Sequence, residues 1–296
     1  MMIPAPVKKG DKVAVIAPAT TPSEEKLNGG VAYLESLGLK PVVFESCRSL
    51  HGFFAGDDEL RAADLMESFT NNEYKAVICA RGGYGTQRLL KKLDFDAIAA
   101  HPKRFFGYSD ITALHIAIAG RCKYVTYHSP MPASEFYGEC DDLTKSQFEA
   151  ALFGDPLCDE IEGEAYIVGD CEGQLYGGNL SLVASLVGTP YMPDMTGKIL
   201  FLEDVDERPY TIDRMMTQLR NAGVLDACAG LVLGYFTNCG LTDYSKSLTV
   251  DEVFAEQLAD FGKPVLRNVK FGHDTPTYTL PEGAHVRICG GKLELL

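Results

Sequence analysis

Phe105-Phe106-Gly107-Tyr108-Ser109-Asp110-Ile111-Thr112 sets a serine where an apolar run gives way to a helical pattern. A buried strand that turns sharply into a helix projects the residue at its apex, and the N–H of the following residue, here Asp110, faces an oxyanion formed there. Gly107, two positions before the serine, relieves crowding in such a turn; the glycine usual two positions after it is replaced by Ile111. The competing reading makes Ser109 a helix N-cap with Asp110 in the first turn.

A nucleophilic serine needs a base, and the histidines are His51, His101, His115, His128, His273 and His285. His115 lies on the helix that follows Ser109 and points round its axis into packing. His273 stands in Phe271-Gly272-His273-Asp274-Thr275-Pro276, a loop after an apolar run, where an imidazole can be aimed at a site. The orienting acid is available in Leu200-Phe201-Leu202-Glu203-Asp204-Val205-Asp206-Glu207. Glu203 comes first after the apolar run, at the carboxyl end of a strand, where a partly buried acid fixes the histidine tautomer and stabilises imidazolium. The same carboxylates also read as a solvated turn, or as a cation site through Glu203, Asp204 and Asp206, although the spacing of a calcium loop is absent.

Two glycine pairs follow strand patterns and precede helical ones: Arg81-Gly82-Gly83-Tyr84-Gly85 and Tyr176-Gly177-Gly178-Asn179-Leu180-Ser181. Each could present backbone N–H groups to an anion at a helix start, or simply supply positive φ for a tight turn. Arg81 and Arg208 are the cations available for a substrate carboxylate. The first strand ends in Ile16-Ala17-Pro18-Ala19-Thr20, without the glycines of a dinucleotide fold, and no P-loop pattern occurs, so no nucleotide cofactor is expected.

These residues must be carried by elements. Apolar runs at 13–17, 41–44, 76–80, 103–108 and 124–127 alternate with helical patterns at 24–37, 57–69, 84–91 and 110–119. Such alternation predicts a flavodoxin-like parallel sheet flanked by helices, with its site beyond the carboxyl ends of the strands. An acidic connection follows, and the domain boundary is placed at 155. Residues 156–296 read as a smaller mixed α/β domain, with strands near 165, 174, 199, 231, 265, 286 and 293 and helices at 179–187, 210–222 and 250–261.

The chain has 296 residues and a formal charge of −14, from 27 basic and 41 acidic side chains, which argues against nucleic acid as a partner. Nine cysteines without a CxxC pair disfavour a zinc ribbon or a redox dithiol, and their place in apolar runs is that of small buried hydrophobes in a reducing compartment; no metal site is expected from them. The N-terminus lacks the apolar stretch of a signal peptide and no run approaches the length of a membrane span. A cytoplasmic protein is therefore expected. Homodimer formation is left open by the sequence.

Six segments together resemble the LD-carboxypeptidase family of serine peptidases: HGFFAGDDELRAADL at 51–65, ARGGYG at 80–85, GYSDITAL at 107–114, YGGNLSL at 176–182, FLEDV at 201–205 and GHDTPTYTLPEG at 272–283. The resemblance implies a Ser109, Glu203, His273 triad, oxyanion donors from the backbone of Asp110 and of Gly82-Gly83, Asn179 near the substrate, and two domains that hold the site in a cleft. It implies release of terminal D-alanine from cytoplasmic murein tetrapeptides in peptidoglycan recycling. Ser129 stands where the family typically carries glycine. Two rival readings are a same-fold peptidase of peptidyl-nucleotide antibiotics, which the absence of tryptophan disfavours, and a non-catalytic binder that holds an anionic peptide at the two Gly-Gly helix starts.

Overall fold

Parallel strands buried on both faces read as continuous apolar runs, and five of them build the first sheet. β1 (Lys12–Ile16), β2 (Lys40–Val43), β3 (Tyr74–Cys79), β4 (Arg104–Gly107) and β5 (Thr126–His128) are connected through α1 (Glu24–Ser36), α2 (Asp58–Thr70), α3 (Phe95–Ala100) and α4 (Thr112–Cys122). Their order is β2-β1-β3-β4-β5, all parallel, which is the flavodoxin-like order the alternation predicts. Val13, Ala14, Val15, Ala76 to Ala80, Phe105 and Phe106 are inaccessible to solvent. α5 (Asp142–Phe153) completes this part of the chain. Ser23, Asp57, Asp94 and Asp141 cap α1, α2, α3 and α5, each side chain accepting a backbone N–H of the first turn.

The computed structural model describes residues 1–240 and 246–296. They form two compact units, Met1–Leu157 with Pro276–Gly283, and Cys158–Thr275 with Ala284–Leu296. The second unit contains β6 (Glu160–Glu162), β7 (Glu164–Ile167), β8 (Cys171–Asn179), α6 (Leu180–Leu186), β9 (Ile199–Val205), α7 (Pro209–Asn221), α8 (Val224–Ala227), β10 (Gly230–Thr237), α9 (Val250–Gln257) and β11 (Val265–Arg267). β12 (Leu280–Glu282) belongs to the first unit; β13 (His285–Cys289) and β14 (Lys292–Leu295) return to the second. The second sheet runs β6-β14-β13-β8-β9-β10-β11-β7, with β8, β9, β10 and β11 parallel and the outer strands antiparallel. The chain is thus mixed α/β, with five parallel strands in the first sheet.

Two features differ from the sequence expectation. A division into 1–155 and 156–296 has no place for the return of 276–283 to the first unit, where β12 pairs antiparallel with β5 at the sheet edge. Pro281 is tolerated there because an edge strand need not donate on its outer side. The helix expected over 84–91 is instead two 3-10 turns, Thr86–Arg88 and Leu90–Lys92. Gly83 and Gly85 hold φ of 126° and 122°, outside the helical region, so no α-helix starts behind the glycine pair.

Candidate active site

Ser109 occupies the apex of a strand-to-helix turn. β4 ends at Gly107, Tyr108 is extended at φ −153°, and Ser109 enters the left-handed region at φ 65° before a 3-10 turn over Ser109–Ile111 leads into α4. A non-glycine residue in this region costs about 1–3 kcal/mol, and such strain persists where the surroundings over-determine it. α4 begins after Ile111 with no side-chain cap, so Ser109 is the elbow residue and not an N-cap. Gly107 explains how Ile111 fits where glycine is usual: a Cβ on Gly107 would lie 3.0 Å from Ile111 Cγ1 and 3.1 Å from Cys79 Cβ. The isoleucine fills the inside of the turn that the glycine leaves open.

His115 supports this turn from below. It is inaccessible, with Nε2 2.8 Å from the Gly107 carbonyl and Nδ1 2.8 Å from Thr126 Oγ1. The carbonyl can only accept, so Nε2 carries the proton and Nδ1 accepts from the threonine. Burial pushes the imidazole down to about 4, against the raising effect of the Gly107 carbonyl. The packing role read from its position holds. Ser129 donates its N–H to the same Gly107 carbonyl at 3.0 Å and is itself buried.

Gly82 lies directly behind the serine: a Cβ there would sit 2.9 Å from Ser109 Cβ and 3.0 Å from Oγ. Gly83 abuts Thr20, whose hydroxyl accepts from Tyr84 N–H at 3.3 Å. The loop after β3 is therefore pressed on the serine turn, with no room for side chains at its two glycines. Its other end meets Asp110, whose Oδ2 accepts the Thr86 N–H at 2.8 Å. Sequence reasoning used only the Asp110 backbone; the buried carboxylate that fills the turn was not read.

Glu203 and His273 belong to the second unit and are hydrogen-bonded, Nδ1 to Oε2 at 2.6 Å. Glu203 lies within β9, fully buried, and the His273 side chain is 16% exposed. An ionised carboxylate only accepts, so Nδ1 donates and Nε2 of the neutral ring is the basic nitrogen. Gly272 makes the approach geometrically feasible: at φ 111° it runs so near that a Cβ would lie 2.6 Å from Glu203 Oε2. Behind it, Phe271 is buried against Phe201 at 5.6 Å between ring centroids, and its carbonyl accepts Tyr235 N–H at 2.9 Å. Gly272 had no assigned role in the sequence, though its place beside the histidine was the available signal.

The acidic run divides by partner. Asp204 is buried on the other side of β9, and Oδ1 accepts Asn179 Nδ2 and Val205 N–H, each at 2.8 Å, while Oδ2 accepts Ser181 N–H at 3.0 Å. Burial first, then the charge of Glu203, pushes its carboxyl up to about 7 despite these donors. Asp206 is exposed in the left-handed region. Among the described residues no three His, Cys, Asp or Glu side chains are grouped to hold a metal ion. Asn179 caps α6, accepting Leu182 N–H at 3.2 Å. Gly177 and Gly178 lie inside β8, and the start of α6 faces the chain's own Asp204. Neither glycine pair offers an open helix start, which removes the physical basis of the non-catalytic anion binder.

Known proteins share this architecture. Residues 13–129 match the LD-carboxypeptidase N-terminal domain and 172–288 the LD-carboxypeptidase C-terminal domain. A probable murein peptide carboxypeptidase of Bacillus subtilis is 42% identical over 292 residues, spanning 95% of this chain and 89% of that protein. The crystal structure of muramoyltetrapeptide carboxypeptidase from Oxalobacter formigenes superposes with a TM-score of 0.86 at 34% identity, covering 96% of this chain and 97% of the other. The microcin C7 self-immunity protein of Escherichia coli is 28% identical, over 97% of this chain and 93% of that protein. The chain belongs to the LD-carboxypeptidase family.

Proposed function

We propose that this protein is a serine carboxypeptidase that releases the terminal D-alanine of murein tetrapeptides by hydrolysing the amide to the L-centre of meso-diaminopimelate. The observation that carries the reading is Ser109 at φ 65° on the elbow after β4, backed by Gly82, where an added Cβ would stand 3.0 Å from Oγ. His273 takes the serine proton on Nε2 while Oγ attacks the scissile carbonyl. Glu203 keeps Nδ1–H in place and stabilises the imidazolium that forms. The backbone N–H groups of Asp110 and of the Gly82-Gly83 turn hold the oxyanion, each donor supplying about 3 kcal/mol of transition-state stabilisation. Imidazolium then returns its proton to the departing D-alanine nitrogen, leaving an acyl-enzyme on Ser109 that water hydrolyses by the reverse proton path. In this reading Asn179, whose amide donates to Asp204, acts near the substrate.

The substrate class rests on the relatives named for murein peptides, and we place the reaction in the cytoplasm, on peptides returned from the wall. The test is D-alanine release from purified murein tetrapeptide, followed by mass spectrometry. Release by the wild type and its loss in Ser109→Ala, with an unchanged circular dichroism spectrum, is the expected result; full turnover by that variant overturns the assignment. The self-immunity relative supplies the second reading, a peptidase of aminoacyl-nucleotide conjugates. Higher kcat/KM on an aminoacyl-nucleotide mimic than on the tetrapeptide would establish it instead.

A further inference from the structure

Thr86 and Asp110 face one another across the base of the glycine loop. The Thr86 N–H donates to Asp110 Oδ2 at 2.8 Å, and Thr86 Oγ1 donates to the Asp110 carbonyl at 2.5 Å. Both residues are buried, Thr86 at 0% and Asp110 at 1% exposure. Burial pushes the Asp110 carboxyl up, and the backbone N–H groups of Thr86 and Gly85 act in the opposite direction. The aspartate thus takes, from inside the chain, the N–H groups at the Gly85–Thr86 end of the loop.

The far side of the loop is closed as well. A Cβ on Gly85 would meet the Phe54 ring at 2.7 Å and Arg61 Nη1 at 2.8 Å. Arg61 is fully buried, donates to the Pro18 carbonyl at 2.7 Å, and lies 4.7 Å from the centroid of Phe54. Between these walls runs Gly82-Gly83-Tyr84-Gly85, a segment with three glycines whose backbone is intrinsically free. Gly82 rests on Ser109, so whatever fixes the loop fixes its N–H groups relative to the nucleophile.

We propose that Thr86 and the side chain of Asp110 are positioning residues that clasp the Gly82–Gly85 loop to the Ser109 turn and so hold the oxyanion donors in register. This rests on the reading of Ser109 as the nucleophile. Asp110 then acts twice, by its own N–H at the oxyanion and by its carboxylate on the loop that carries the other donors. Without the clasp the loop drifts, and misplacement by about 1 Å costs about 100-fold in rate.

Thr86→Val and Thr86→Ser separate a clasp from mere packing. Valine keeps the shape and removes the hydroxyl; serine keeps the hydroxyl and removes the methyl group. Steady-state kinetics on murein tetrapeptide and the rate of labelling by a fluorophosphonate probe are measured for both variants and for Asp110→Ala, with amide exchange of the 82–86 loop read by mass spectrometry. Thr86→Val is expected to lose about 10–100-fold in kcat with KM within threefold, to label more slowly and to exchange faster in the loop, with Thr86→Ser near wild type. Should Thr86→Val fail to fold, Asp110→Ala, which removes the acceptor of the Thr86 N–H, carries the same expectation. Thr86→Val within twofold of wild-type kcat, or Thr86→Ser as impaired as Thr86→Val, overturns the clasp while the nucleophile stands. A wild type that neither releases D-alanine nor takes the label overturns the nucleophile assignment, and the clasp with it.

Discussion

Gly272 and Glu203 approach so closely that a single carbon added to the glycine would stand 2.6 Å from Oε2 and 2.8 Å from Cβ of the glutamate. The buried carboxylate has one backbone wall and one histidine, and the wall is what lets the histidine come within 2.6 Å. Gly272→Ala must therefore either displace Glu203 or move the loop that bears His273, and it also places alanine at φ 111°. The expected loss is about 100-fold in kcat/KM, from misplacement of the pair, together with about 1–3 kcal/mol of stability from the strained backbone. Kinetics and denaturant unfolding of the same preparation check both; wild-type turnover in this variant would show that the contact is not needed.

Ser109 carries the opposite trade. Its left-handed φ of 65° is a cost to the fold that serves the exposure of Oγ. Ser109→Gly relieves the strain and should stabilise the first unit by about 1 kcal/mol, because glycine has no Cβ penalty there. Ser109→Ala keeps the Cβ and gains nothing comparable. Both abolish turnover under the nucleophile reading. Unfolding midpoints that rank glycine no higher than alanine would show that the turn is not strained.

Gly82→Ala tests the loop from the side of the serine. The new methyl group lands 3.0 Å from Oγ, tighter than ordinary packing, so the loop retreats or the serine rotates. A drop of about 100-fold in kcat is expected, the size of effect that follows loss of one oxyanion donor. The core is untouched, since the clash involves only the turn, and the thermal midpoint should stay close to that of the wild type. A large fall in midpoint with kcat preserved in the folded fraction would instead make Gly82 a folding residue.

How far these relationships could be read from sequence differs by element. The strand-to-helix turn at Ser109 was legible because a short run carrying Phe105, Phe106 and Tyr108 gives way to a helical pattern there, and the parallel strands of the first sheet followed from the alternation. Glu203 was legible as the first acid after an apolar run, yet β9 continues through it to Val205, because Asp204 finds buried donors on Asn179 and Ser181. The 84–91 segment misled, since its helical spacing is overridden by glycines at positive φ and by the tie between Thr86 and Asp110. β12 left no signal: three residues with a central proline have no periodicity, and only tertiary pairing with Tyr127 and its neighbours makes them a strand. What sequence cannot supply is distance, and the roles of Gly272 and Thr86 are matters of distance alone.

Two buried groups give the protein opposing proton linkages, one in each unit. Burial holds His115 at about 4 in the fold against 6.5 as an ordinary imidazole, so its neutral form contributes stability that is present above about pH 6.5 and lost as pH falls towards 4. Asp204 is raised from 3.8 to about 7, so its protonated form contributes stability that is present below about pH 4 and lost as pH rises to 7. Over the shared window the first unit strengthens with rising pH while the second weakens. Hydrogen-exchange protection, read separately for core amides of β4 and of β9 between pH 4 and 7 and corrected for intrinsic exchange, should show slopes of opposite sign. His115→Gln, which retains a donor for the Gly107 carbonyl, is expected to flatten only the first slope, and Asp204→Asn only the second. A His115→Gln profile parallel to the wild type would remove this histidine from the acid limb and place the linkage on another group.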